Sequence, residues 1–309
     1  MNIATKPRLK PRMSKRERQN IMYGLFFAAP IILGFLIFTL GPMLASLYFS
    51  LTNFEVTNDY HWVGLQNYKD LFMGDNPYFY KSLKVTLYYV GLSVPIHIIY
   101  AFIMALFLNS MFIKKRHLSI FRTVFYLPSI VPIVASSMIW MWIFNPDFGL
   151  LNALLRVVGL PKLKWIYDAK TVIPSLVIMG LWTTSQVMII FLAGLQDISV
   201  QLYEAVDLDG GNFFHKLRYV TIPMMTPTIF FNLIIGVINA FQTFAQAYIM
   251  TDGGPNNASL FYAFYLFRTA FRDQHMSVAC ALAWVLFVII ALFTFLIFKS
   301  QKKWVIYDR

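Results

Sequence analysis

Six stretches of this chain are long and apolar enough to cross a bilayer as helices, at approximately 21–50, 84–109, 122–144, 171–196, 223–250 and 277–298. A hydrocarbon core about 30 Å thick takes roughly 20 helical residues to span. Within it every backbone donor and acceptor must be satisfied by protein, which leaves bundled helices or a closed barrel. A barrel requires apolar and polar residues to alternate, whereas these runs are continuously apolar. The chain therefore reads as all-α, a polytopic membrane protein with six transmembrane helices. Composition agrees. Hydrophobic residues make up 58% and charged residues 13% of the 309, and a soluble monomer so composed would expose large apolar patches.

Basic residues set the orientation. Lys6, Arg8, Lys10, Arg12, Lys15, Arg16 and Arg18 precede the first run. That run is too long for the core of a cleaved secretory leader. With the N-terminus inside, the tail, the loop MFIKKRHLSIFR, the stretch 203–227 and the C-terminal end hold 17 of the 26 Lys and Arg residues. The positive-inside rule then puts both termini in the cytoplasm. Trp140, Trp142, Trp304 and Tyr307 fall where aromatic belts are expected. The net charge of +12 lies beside lipid headgroups in this arrangement, so nucleic acid is not an expected partner. The chain divides into a basic tail at 1–20, a first helix and outer loop at 21–80, a core of five helices at 81–299 and a tail at 300–309. Leu150, Leu151, Leu154, Leu155 and Val158 have helical spacing, so 146–165 should lie along the outer interface.

The motif inventory narrows function by exclusion. There is no G-x-x-x-x-G-K-[ST] loop, no H-E-x-x-H, no paired-cysteine metal spacing and no G-x-S-x-G. No catalytic residue and no metal ligand set is expected. The single cysteine, Cys280, cannot form an intrachain disulfide. No Asp, Glu, Lys or Arg lies within the spans away from their ends, and such residues usually mark ion or proton routes. This counts against an ion-coupled secondary carrier. Energy for any transport should enter from outside the chain.

Two constellations remain. The first is YEAVDLDGGNFFHKLRYVTIPMMTP, residues 203–227, between the fourth and fifth runs. Val200, Leu202, Tyr203 and Val206 suggest a short helix with Ser199 as N-cap, and Gly210 and Gly211 supply a left-handed exit. A second short helix restarts behind Asn212. The coupling loop 197–222 thus forms an acidic helical elbow that cannot bury itself alone. The second is a polar stripe on the fifth run, with Asn232, Gly236, Asn239, Thr243 and Gln246 on one helix face and Gln242 beside it. Trp182, Thr183, Thr184, Ser185 and Gln186 form a polar group on the fourth run. Such stripes either line a wet path or join helices by hydrogen bonds.

The spacing E-A-V-x3-G-x9-V-x-I-P, at Glu204, Ala205, Gly210 and Pro223, resembles the E-A-A loop of permease subunits in binding-protein-dependent ABC importers. Val206, Val220 and Ile222 depart conservatively from that pattern. WVGLQNYKDLF, FYLPSIVPIVASSMIWMWIFNPDFGLLNALL and TDGGPNNAS resemble the carbohydrate-uptake branch. The resemblance implies a type I importer fold in a prokaryotic cell membrane, with membrane lipid around it. It implies a second homologous permease, two ATPase subunits that bind ATP and Mg, and an extracytoplasmic solute-binding protein that delivers a sugar or oligosaccharide. It assigns Tyr203, Glu204, Ala205, Asp207 and Gly210 to contact with the ATPase. The substrate path would take Asn232, Asn239, Gln242, Thr243, Gln246, Trp182, Thr183, Ser185 and Gln186. The other class in view is a secondary carrier or a polytopic membrane enzyme.

Overall fold

A computed structural model describes residues 14–55, 60–74, 76–109 and 115–307, with the backbone alone described at 115–119. The basic residues Lys6, Arg8, Lys10 and Arg12 lie outside the described residues. The described residues are helical and loop, with one isolated bridge between Thr52 and Trp62. Four helices are long and apolar enough to cross a membrane: Lys15–Ser50, Pro77–Asn109, Phe213–Met250 and Met276–Lys303. Two bent pairs, Ile120–Ile130 with Ile133–Ile143 and Val172–Trp182 with Ser185–Asp197, are long and apolar enough when each is taken as one span, which brings the number to six. They coincide with the six apolar runs.

The first span starts earlier than its apolar run. Ser14 Oγ accepts from the Glu17 N–H at 3.2 Å, and Glu17 Oε2 accepts from the Ser14 N–H at 2.7 Å. This capping box satisfies orphan donors and lets the helix begin among charged residues. The run alone placed the start at 21. From Lys15 to Leu40 this helix buries no residue. Its far end leans on the sixth span, where the Trp284 indole N–H donates to Ser46 Oγ at 3.2 Å.

The second span is the centre of the bundle and packs on the fourth and fifth. His97 bonds the Val177 carbonyl through Nε2 at 3.0 Å, against a fourth-span glycine. A Cβ on Gly180 would stand 2.4 Å from His97 Cε1. The ring cannot retreat without breaking its bond to Val177. Gly180→Val should therefore destabilise the packed spans by about 1–3 kcal/mol, in the range for overpacked cores. A lowered melting temperature of the purified complex checks this, and an unchanged one contradicts it.

The bends in the third and fourth spans have local causes. Pro132 brings no N–H and begins the second half of the third span, which turns by 100°. In the fourth span Thr183 and Thr184 each donate a hydroxyl to the carbonyl three residues back, Gly180 at 3.0 Å and Leu181 at 2.8 Å. Side chains that take helix carbonyls in this way loosen the i to i−4 ladder, and the halves meet at 52°. On the loop side, Asn152 ties 146–165 together, meeting the Pro146 carbonyl, both backbone groups of Leu163 and the Trp165 indole at 2.9–3.1 Å. Leu150 and Leu154 of that segment stay exposed, while Leu151 and Leu155 pack on the core.

Candidate functional site: an elbow and a polar path

The elbow is built by three turns of local chemistry. Helix Val200–Leu208 ends at Gly210, whose φ of +74° is open to glycine at little cost. The Gly210 N–H donates to the Asp207 carbonyl at 3.0 Å and the Gly211 N–H to Val206 at 2.8 Å, the paired bonds of a Schellman ending. A Cβ on Gly211 would lie 2.4 Å from Val206 Cγ1, so the second glycine permits close approach. Asn212 Oδ1 then accepts from the N–H groups of Phe214 at 3.0 Å and His215 at 3.2 Å. Asp207 bridges back to Lys216 at 2.6 Å and clamps the two arms. At this exposure the ion pair contributes about 0.2–1 kcal/mol.

Two expectations about the elbow need correction. Ser199 stands at the N-cap position, but its hydroxyl bonds the Gln201 side chain and caps no backbone N–H. The helix behind Asn212 is not a separate short one. It opens at Phe213 and continues through a wider turn, Leu217–Thr221, into the fifth span. The elbow's second arm is thus the end of the helix that forms the fifth span.

The elbow has an inner and an outer face. Tyr203 and Val206, three residues apart, turn inward onto the cluster containing Leu195, Ile198, Val220 and Met225. Tyr203 Oη lies 3.1 Å from Thr221 Oγ1, which makes this tyrosine an anchor within its own chain. Glu204, Ala205 and Asp209 face out. So do Leu208, 89% exposed, Phe213, 63%, and Phe214, 73%. These three large apolar side chains share a tip with carboxylates and touch no core cluster. The resemblance did not single them out. For Phe213 and Phe214 the signal in the sequence is an apolar pair set directly behind an N-cap asparagine, and Leu208 carries none.

The polar stripe is less unified than its spacing suggested. The fifth-span helix breaks at Gln242–Phe244 and resumes at Ala245–Met250, so Asn232 and Gln246 do not share one continuous helix face. Asn232 is buried and donates to its own helix at the Thr228 carbonyl, 2.8 Å away. Ser185 is buried and donates to the Phe125 carbonyl. Thr243 lies against the buried Tyr89 hydroxyl. Asn239, Gln242, Thr183 and Gln186 are exposed, while Gln246 and Trp182 are half-buried, with Trp182 stacked edge-on to Trp140 at 5.3 Å. Beside the fourth-span bend lies a cavity of about 200 Å³ lined by Tyr100, Pro128, Trp182 and Thr184. Irregular backbone at membrane depth is tolerated where it is covered by protein or lines such a space.

Residues 72–303 match the family model described as binding-protein-dependent transport system inner membrane component. The chain is 40% identical to the probable ABC transporter permease protein YesP of Bacillus subtilis (strain 168), over 96% of each chain. It is 31% identical to the arabinooligosaccharides transport system permease protein AraP of Halalkalibacterium halodurans, over 85% of this chain and 82% of that one. In fold it is similar to a chain of the bacterial alginate ABC transporter solved in complex with an alginate pentasaccharide-bound periplasmic protein. That match has a TM-score of 0.79 and 20% identity over 93% of this chain and 96% of that one.

Proposed function

Because this chain belongs to the family of binding-protein-dependent transport system inner membrane components, we propose that it is the permease subunit of an ATP-driven importer for a sugar or oligosaccharide. It is a multi-pass membrane protein and a transport component, not an enzyme. The observation that carries the mechanism is the elbow. The exposed Leu208, Phe213 and Phe214, on the same elbow as the exposed Glu204 and Asp209, match an apolar socket with a polar or basic rim, since exposed apolar patches of this kind mark contact surfaces. The socket belongs to a separate ATPase subunit that binds ATP and Mg. Two such ATPases, one per permease, close on nucleotide and push the elbows, and each push passes along the continuous helix into the fifth span. Both termini lie on the elbow's side of the membrane, in the cytoplasm, and a solute-binding protein delivers substrate to the opposite face. A second homologous permease completes the path.

A saccharide leaving water needs partners for its hydroxyls and flat faces to lie against. Asn239, Gln242, Thr183 and Gln186 offer the first and Trp182 the second. Asn239→Leu combined with Gln242→Leu should lower the transport rate several-fold and leave assembly intact. Unchanged transport kinetics would return these residues to helix packing. The reading as a whole is tested by reconstituting the chain with its second permease and ATPase in sealed vesicles. Uptake should require ATP and the loaded binding protein and survive collapse of the proton gradient. Gradient-driven uptake by this chain alone would establish an ion-coupled carrier instead.

A further inference from the structure

Arg122 occupies a position the transport reading leaves unexplained. It sits on helix Lys115–Ile130, half-buried, and makes no ion pair among the described residues. Its Nε is buried and has no hydrogen-bond partner. An arginine in or near hydrocarbon is costly and is normally matched by a carboxylate, a carbonyl or water. Asp197, the only acid on the neighbouring helix Ser185–Asp197, forms no ion pair with it. The side chain instead borders a cavity of about 320 Å³ between the two helices, lined by Thr123 and Tyr126 of its own helix and by Ile189, Leu192 and Gln196 of the other.

The surroundings identify what fits. Helix Ser185–Asp197 leads directly into the elbow, so Gln196 stands at the elbow's end of the cavity's lining. Ile120, Val124 and Leu127 of the arginine's own helix are 59–60% exposed, which is the condition of a surface that meets acyl chains. A guanidinium whose buried Nε has no partner, a tyrosine, a glutamine and the apolar Ile189 and Leu192 match a phosphate carrying hydrocarbon tails. Arginine is suited to this because its planar fork pairs two oxygens of one phosphate. Basic pockets between transmembrane helices on the cytoplasmic side bind phospholipid headgroups by the same chemistry.

We infer that the cavity between Lys115–Ile130 and Ser185–Asp197 is a binding site for the phosphate of an anionic phospholipid, held by Arg122 with Tyr126 and Gln196. The lipid acts as a wedge between the two helices whose other halves bend away at Pro132 and Thr183, and its tails lie along Ile189 and Leu192.

The test uses the complete transporter, purified and exchanged into nanodiscs of equal parts phosphatidylcholine and phosphatidylglycerol, with bound lipid counted by native mass spectrometry after delipidation. Wild type should retain phosphatidylglycerol over phosphatidylcholine. Arg122→Gln should retain about tenfold less, the loss of one charge-assisted pair. Arg122→Lys should recover part of the retention, because the charge survives without the fork. Gln196→Ala, which removes a donor and no charge, should give a smaller loss. Equal retention by wild type and all three variants would overturn the site. Displacement of the lipid by millimolar inorganic phosphate would show a free-anion site and overturn the lipid assignment. If Arg122→Gln separates from the second permease while Gln196→Ala holds lipid like wild type, the arginine is a subunit contact and the inference fails.

Discussion

A proline at position 210 should abolish uptake while leaving the six spans inserted and the protein at normal abundance. Gly210 adopts a φ of +74°, and a proline ring holds φ near −65°. The substitution also removes the N–H that donates to the Asp207 carbonyl, so the Schellman ending is lost and the two arms can no longer meet at their present angle. Gly210→Ala provides the graded control. It keeps the N–H and incurs only the left-handed penalty of about 1–2 kcal/mol, so transport should fall partially. Membrane insertion, protein level and ATP-dependent uptake are measured for both variants. Full uptake by Gly210→Pro would mean that the elbow's shape is irrelevant to transport.

The second large effect concerns the tip. Leu208 and Phe214 face solvent in the isolated chain and touch no core cluster, so Leu208→Asp and Phe214→Asp should fold and insert normally. If each side chain fills an apolar socket on the ATPase, its burial there contributes about 1.5–3 kcal/mol. Each variant should then bind the ATPase about 10- to 100-fold more weakly, and the double variant should copurify with none. Copurification of the double variant at the wild-type ratio would remove the tip from the interface. Asp207→Asn should do far less. Its partner is Lys216 of the same elbow, and an exposed clamp of this kind is worth little.

How much of this the sequence disclosed depended on whether the deciding physics was local. The spans were legible because backbone in hydrocarbon has few options, and roughly 20 apolar residues in a row admit one of them. The elbow was legible because Gly210 and Asn212 have turn-specific roles and play them, whereas Gly211 does not take the left-handed conformation expected of it and instead permits close approach to Val206. What escaped depended on contacts between distant segments. The inward turn of Tyr203 is decided by Thr221 and the cluster behind it. Continuation of Phe213 into the fifth span is decided by a wide turn that no residue type announces. The polar stripe has helical spacing in the sequence, but the helix ends at Phe241 and resumes at Ala245, so one face does not continue through it. Asn232 and Ser185 show the same limit, since a buried polar side chain bonded to a backbone carbonyl has the spacing of a path residue and the environment of a packing one.

The family match covers 72–303, which includes the elbow and every span but the first. That first span buries no residue from Lys15 to Leu40 and touches the bundle through its far end at Ser46 and Trp284. The packed unit through which a push would travel is therefore the helix opening at Phe213 together with the second and fourth spans against it. Mechanical coupling of this kind needs a rigid lever. The elbow provides one, with its turn closed by the Schellman ending and the Asn212 cap and its inner face anchored.

The most direct measurement is a cross-link from the tip. With Cys280, the only cysteine, replaced by serine, Leu208→Cys is placed in the assembled transporter, and its reaction is followed with a short bifunctional maleimide and with a water-soluble monofunctional one. The account predicts a covalent adduct to the ATPase subunit and protection from the soluble reagent, both lost when the ATPase is stripped away. Rapid, complete labelling by the soluble reagent in the intact assembly, with no adduct to a second polypeptide, would contradict it.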